Sequence, residues 1–294
     1  MASHFRRLAN NGSLSSADLL AGVHVDGTRI PVVNPQRGIF KPTQLKHLLS
    51  IRTVYPKAGA RIWYDDQRKV HAQIEAGEEL IDYAFQGLDP QSFDNQWLHE
   101  AMLAQVPILY FLGVAPGRYT VHFPTFIVEC NPAAHKVQIA FGAPIDAGDA
   151  KAPDPAERKY ASRLVRQRLH QARFREAVMS AYAGRCAITG LPERRLLDAA
   201  HIIGDAEDGG LPIVPNGLPL SKVHHAAFDA NLIGIDPDYR IHVSDALLAI
   251  NDGPMFEQGV KLKHGELIRL PTRLLDYPAK DRLAARFDRF KSAS

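Results

Sequence analysis

Cysteine is nearly missing from this 294-residue chain, which has two, Cys130 and Cys186. Two thiols with no C-x-x-C pair cannot make a disulfide framework, which excludes the small secreted scaffold and favours a reducing compartment. The expected location is cytoplasmic. Long apolar runs are missing too. The longest, residues 101 to 115, contains Gln105 and Pro107 and falls short of the about 20 residues a membrane span needs, so no membrane partner is expected. At the N-terminus Arg6 and Arg7 precede Leu8-Ala-Asn-Asn-Gly-Ser, which is too polar for the apolar core of a secretory signal. Strong net charge is also lacking. At +3, the whole molecule does not announce a polyanion partner, so local clustering has to carry any such argument. No internal repeat or low-complexity tail is present.

What is present is an ordinary globular composition, 46% hydrophobic and 23% charged with 21 Gly and 20 Pro, in a chain long enough for two domains. Residues from about 20 to 142 read mostly as strands and turns. Val121-His-Phe-Pro-Thr-Phe-Ile-Val-Glu and Lys136-Val-Gln-Ile-Ala-Phe carry β-branched and aromatic residues between Pro, Gly and Asn. One helix is expected to interrupt them, from about Asn95 to Ala104. A stretch rich in Pro, Gly, Ala and Asp follows and reads as a linker. The expected division is therefore 1–142, a linker over 143–155, and 156–294. A helix is expected from Ala156 to about Ala183, with Asp154 able to cap it and Pro155 suited to its first position. Between Glu157 and Glu176 it carries seven cations, Arg158, Lys159, Arg163, Arg166, Arg168, Arg173 and Arg175. A solvated face and a phosphate-contacting face both fit such a run; Arg166 and Arg173 are the candidate DNA-backbone contacts.

The segment that carries chemistry runs Cys186-Ala-Ile-Thr-Gly, then Asp198-Ala-Ala-His201-Ile-Ile, then Asn216-Gly-Leu-Pro-Leu-Ser-Lys-Val-His224-His225-Ala-Ala-Phe-Asp229. It reads as a strand ending in His201, a loop, Asn216, and a helix start. His225 and Asp229 are four apart, which puts an imidazole and a carboxylate on one helix face, able to grip one divalent ion. Taken singly, each residue has a plainer reading. His201 beside Ile202 and Ile203 fits a core histidine, Asn216-Gly217 a turn, Asp229 a surface position and His224 a structural hydrogen-bonder.

Taken jointly, these residues resemble the HNH (ββα-metal) nuclease family, in the subgroup with C-x-x-T-G and A-A-H-I signatures followed by N-G-L-x-L-x-x-x-H-H-x-x-F-D. The resemblance covers about Tyr182 to Ile235. It implies His201 as the general base toward water, Asn216 as the residue that holds the loop and orients that histidine, and His225 with Asp229 as ligands of one divalent ion, Mg²⁺ or Mn²⁺. Many members carry a ligand Asp immediately before the base. Here that position is Ala200, and Asp198, expected on the same strand face, is the candidate replacement. Many relatives also hold a structural zinc with two C-x-x-C pairs. Here the equivalent positions are Cys186 with Thr189 and Ser221 with His224, so no structural zinc is expected, and Cys186 is read as a buried small residue.

In the first half, Arg61-Ile-Trp63-Tyr64-Asp65-Asp66 and Asp82-Tyr83-Ala-Phe85-Gln-Gly87 are similar to the Y-x-D-D and Y-x-G signatures of SRA domains, PUA-like barrels that flip a modified cytosine out of duplex DNA. That likeness implies Trp63 and Phe85 stacking on the base, Asp66 accepting from its amino group, and Tyr64 and Tyr83 beside them. Trp63, Tyr83 and Phe85 equally fit a barrel core. Gln36-Arg37-Gly38-Ile39-Phe40-Lys41-Pro42 reads as an exposed turn whose Arg37 and Lys41 fit phosphate contact or plain solvation.

The expectation is thus an α+β chain with an SRA/PUA-like β-barrel and a ββα-metal nuclease domain entered through a basic helix. The expected partner is double-stranded DNA with modified cytosine, and cutting both strands with one site per chain points to a homodimer. Two other functions fit the residues: a nuclease switched on by a nucleotide messenger bound in the first domain, and a DNA reader made inactive by Ala200.

Overall fold

The computed structural model describes residues 13–55, 65–142 and 153–293. The chain separates into two compact units, Met1–Ala172 and Arg173–Ser294. Among the described residues no helix is long and apolar enough to cross a membrane.

The first unit is mixed α+β, built on a curled, half-barrel sheet. Its strands are β1 (Ser13–Ser15), β4 (Ile39–Phe40), β5 (Ser50–Thr53), β6 (Ile81–Ala84), β7 (Ile108–Ala115), β8 (Arg118–Asn131) and β9 (Lys136–Phe141). Their order is β4-β5-β7-β8-β9-β6, with β1 added to β8. A small hairpin of β2 (Val23–Val25) and β3 (Thr28–Ile30) follows helix α1 (Ser16–Ala21). The two expected strand segments are here, and β7 is buried along nearly its whole length, as a strand covered on both faces must be.

The expected helix is α3, Phe93–Leu103. A further helix, α2 (Asp65–Ala76), corrects the reading of this half as strands with one helical interruption. Val70 and Ile74, four apart and each 2% exposed, anchor α2 on the core. Most of its other residues are polar, and that hid the apolar stripe in the sequence.

Helix α4, Pro155–Ala181, is the expected basic helix. Ala161, Val165, Leu169 and Ala172 belong to the core of the first unit, whereas Phe174, Val178 and Met179 belong to that of the second. The early turns of the helix, read from sequence as part of the second domain, thus pack with the first. Most of the expected linker, residues 143–152, lies outside the described residues.

His122 on β8 is 2% exposed, and its Nε2 lies 3.1 Å from Thr120 Oγ1. Burial, helped by the charge of Arg168, lowers its pKa from 6.5 to about 3. The unfolded chain therefore takes up a proton below pH 6.5 that the folded chain refuses until about pH 3, so stability falls with pH across that window. Between pH 7 and pH 5 the loss is on the order of 2 kcal/mol. Urea denaturation at the two pH values should show it, and His122→Gln should remove it. Equal pH dependence in the two proteins would refute the assignment.

The second unit contains the hairpin β10 (Leu197–His201) with β11 (Gly217–Ser221), helix α5 (Lys222–Asp229), and the hairpin β12 (Ile233–Ile235) with β13 (Ile241–Val243). Short helices α6 (Asp245–Leu248) and α7 (Pro254–Gly259) lead to the C-terminal helix α8, Lys280–Ala293. One core, including Leu197, Ala200, Leu218, Leu220, Phe228 and Leu283, holds these elements together.

Candidate active site

The site is a strand pair followed by a helix. β10 and β11 are antiparallel, with His201 opposite Gly217 and Asp198 opposite Leu220. Ser221 ends β11 and caps α5, its Oγ accepting from His224 N at 3.3 Å. The helix follows the strand directly, so His225 comes up beside β10.

The structure brings Asp198, His225 and Asp229 together. Asp198 Oδ2 stands 3.4 Å from His225 Nδ1, and Asp229 Oδ2 stands 3.3 Å from His225 Nε2. Arg175 lies 3.8 Å from the other Asp198 oxygen and donates to Leu197 O at 2.7 Å and Arg194 O at 2.9 Å. One imidazole and two carboxylates are a mixed set of N and O donor types found on divalent cations. In this arrangement the imidazole lies between the carboxylates, and among the described residues no three such side chains stand at metal-holding spacing. An ion held by all three residues would have to take the place of the imidazole between the two carboxylates.

Ala200 is fully buried, whereas the Asp198 side chain is 38% exposed. The two residues were expected to share one strand face and instead have different surroundings, with Asp198 reaching toward α5.

His201 is held by a ring. Phe174 of α4 stacks on it with centroids 4.0 Å apart and planes 16° from parallel. His201 Nε2 is buried with no hydrogen-bond partner among the described residues. Burial pushes the imidazole pKa down, and His225 adds to that, against an opposing pull from Asp205. Gly217 opposite has no space for a side chain: a Cβ there would lie 2.4 Å from Val178 Cγ2 and 2.8 Å from Phe174 Cζ.

Asn216 is fully buried. Its Oδ1 accepts from Ile203 N at 2.9 Å, and its Nδ2 donates to Ile203 O and Leu211 O, each at 3.0 Å. These bonds tie down the loop that leaves His201. The ring itself is oriented by Phe174, a contact the sequence reading missed because Phe174 looked like one more apolar residue of a helix.

Beneath the site, Cys186, Thr189, Ser221 and His224 form a hydrogen-bonded knot. His224 Nδ1 lies 2.6 Å from Ser221 Oγ, its Nε2 lies 2.8 Å from Gly259 O, and Cys186 Sγ accepts from Ser221 N at 3.4 Å. Burial alone would raise the Cys186 thiol, but hydrogen bonds from His224, Thr189 and Ser221 outweigh it and bring the pKa to about 6. Cys186 is fully buried, as read, and is also a hydrogen-bond acceptor.

The first-unit candidates fare differently. Trp63 and Tyr64 lie outside the described residues, and so does the side chain of Asp66, whose backbone opens α2. Tyr83 and Phe85, 6% and 9% exposed, lie in the core. Tyr83 donates to Gly38 O at 3.1 Å and packs edge-on against Tyr110. Of the candidate backbone contacts, Arg37 pairs with Asp94 at 3.1 Å, and Lys41 sits 5.8 Å over the Trp97 ring. Arg166 lies against Gly77 in the same unit, and Arg173 opens the second unit.

No curated protein matches the chain. A solved structure described as a modification-dependent TagI restriction endonuclease is similar at 14% identity, over 87% of this chain and 86% of that one. Its TM-score of 0.34 is too low to speak for a shared fold or function. Residues 186–236, which hold Asp198, His201, Asn216, His225 and Asp229, match the HNH endonuclease family. The chain thus carries an HNH endonuclease domain and is, by that domain, a DNA endonuclease.

Proposed function

We propose that His201 is the general base of this nuclease, that Asp198, His225 and Asp229 hold one divalent ion, and that the first unit restricts cutting to DNA with modified cytosine. The observation that carries the catalytic part is the pairing of an unpartnered, ring-stacked imidazole nitrogen with a two-carboxylate, one-imidazole cluster on the same ββα element. A neutral imidazole can take a proton from water near neutral pH. Burial keeps His201 neutral, and Phe174 fixes the ring plane. Asp198 and Asp229 flank His225, so the three donors stand together, while Asn216 holds the loop in place. A bound divalent ion supplies charge stabilisation for the phosphorane and the leaving 3′ oxygen.

The modified-cytosine part rests on the likeness of residues 61–66 and 82–87 to SRA signatures. With Tyr83 and Phe85 in the core, base contact falls to Trp63, Tyr64 and Asp66. A homodimer would let two sites cut the two strands.

The test incubates the full chain with Mg²⁺ or Mn²⁺ and matched duplexes carrying cytosine, 5-methylcytosine, 5-hydroxymethylcytosine or its glucosylated form. Cutting of one or more modified duplexes, none of the plain one, and no cutting in EDTA are the expected results. Equal cutting of all four would remove the selective role and leave the nuclease. DNA binding without cutting at any metal concentration would favour an inactive reader, and a requirement for an added nucleotide would favour the messenger-switched alternative.

A further inference from the structure

The C-terminal helix presents an arginine ridge that the catalytic assignment does not use. Arg282, Arg286 and Arg289 fall at i, i+4 and i+7 on α8 and so share a face. All three reach the elements that carry the site. Arg282 Nη1 donates to Gly209 O in the loop between His201 and Asn216. Arg286 Nη2 donates to Phe228 O and lies 3.4 Å from Asp229 O, with its guanidinium 4.7 Å over the Phe228 ring. Arg289 Nη1 bonds Glu207 Oε1 at 2.9 Å.

These partners matter for charge. Among the described residues the hydrogen-bond acceptors of Arg282 and Arg286 are backbone carbonyls, and the charges of Asp229 and Glu207 act on Arg286 through space without a direct ion pair. Among the described residues, of the three only Arg289 has a carboxylate in a direct ion pair, and both members of that pair are exposed enough to separate cheaply (side chains 44% and 40% exposed). The ridge is therefore a row of fixed cations spaced along a helix. Its middle member, Arg286, lies beside Asp229, a candidate ligand, and its two outer members meet the loop that leaves the candidate base. A polyanion strand delivered to that site is the ligand whose charge pattern this row matches.

We propose that Arg282, Arg286 and Arg289 form a track that grips the DNA phosphates next to the cutting site, and that Glu207 occupies the track's end in the free protein and yields it to a phosphate. This rests on the nuclease reading above. The three arginines would contact the backbone alone, so they would strengthen binding to every duplex without choosing among sequences.

The test measures binding of the full chain to a fluorescently labelled duplex in EDTA, so that strands stay whole, over a range of NaCl concentrations. Each phosphate contact contributes about 0.9 to the slope of log K against log salt. Arg282→Ala and Arg289→Ala should each lower that slope by about one, and weaken plain and modified duplexes by the same factor. Glu207→Gln should tighten binding, because it frees Arg289.

That last variant separates the proposal from a merely structural role. If the Glu207–Arg289 pair only braces the loop, Glu207→Gln and Arg289→Ala will shift binding in the same direction, and the proposal is wrong. Unchanged slopes in both arginine variants would also overturn it. Wild-type protein that neither binds nor cuts any duplex would instead sink the nuclease reading itself. Should Arg286→Gln lower the melting temperature by loosening the end of α5, the Arg282 and Arg289 results decide.

Discussion

Cleavage by His201→Ala is expected to fall by roughly 10²- to 10⁴-fold, the usual contribution of a positioned general base, while the melting temperature changes little. The side chain ends β10, is half-buried, and stacks on the Phe174 ring. Its buried Nε2 makes no hydrogen bond among the described residues, so its loss strands no polar partner there. Single-turnover cleavage with Mg²⁺, alongside thermal melting of both proteins, measures the two effects separately. Activity within threefold of wild type would end the assignment. The pH profile provides a second reading of the same residue. Burial disfavours the imidazolium, so His201 stays neutral to lower pH than an ordinary histidine. The acid limb of kcat/KM should then fall below the ordinary 6.5. An acid limb at or above that value, in the enzyme with its metal, would contradict the burial argument.

Asn216→Ala is expected to cost about 3 kcal/mol or more of folding stability and nearly all cleavage. The side chain is fully buried and satisfies one N–H and two carbonyls. Each buried group left unpaired costs about 1–3 kcal/mol. Asn216→Asp should be as damaging although it is almost the same size, because a carboxylate would turn acceptor atoms toward the Ile203 and Leu211 carbonyls. Urea denaturation reads the stability. If Asn216→Asp were as stable as wild type, Asn216 would have to be something other than the clasp of this loop.

Much of the candidate site could be read from the sequence because its parts lie close along the chain. A β-strand, a turn residue and a helix with i, i+4 ligands are local patterns, and they place Asp198, His225 and Asp229 in one cluster. Residues that act from far away left no such trace. Phe174 reaches His201 from another element, and Arg286 meets the end of α5 across 57 residues. The carbonyls that hold the arginines carry no mark of their role in residue identity. In the first half, Tyr83 and Phe85 alternate as strand residues do. Such a pattern cannot tell a ring turned to the core from one turned to a ligand, and packing decided for the core. Helix α2 was hidden because only Val70 and Ile74 mark its buried side while charged neighbours dominate its composition.

The burial of Ala200 has a consequence for how this nuclease can change. Its methyl group belongs to the core that also holds Leu197, Leu218 and Phe228, with nothing of it open to water. An aspartate introduced there would have to shed its hydration among hydrocarbon side chains, at a cost of several kcal/mol. Placing a carboxylate at residue 200 would therefore require rebuilding the wall behind the strand. Drift toward an acid at this position is opposed by packing, and in the proposed metal site Asp198 is left as the carboxylate this strand can offer.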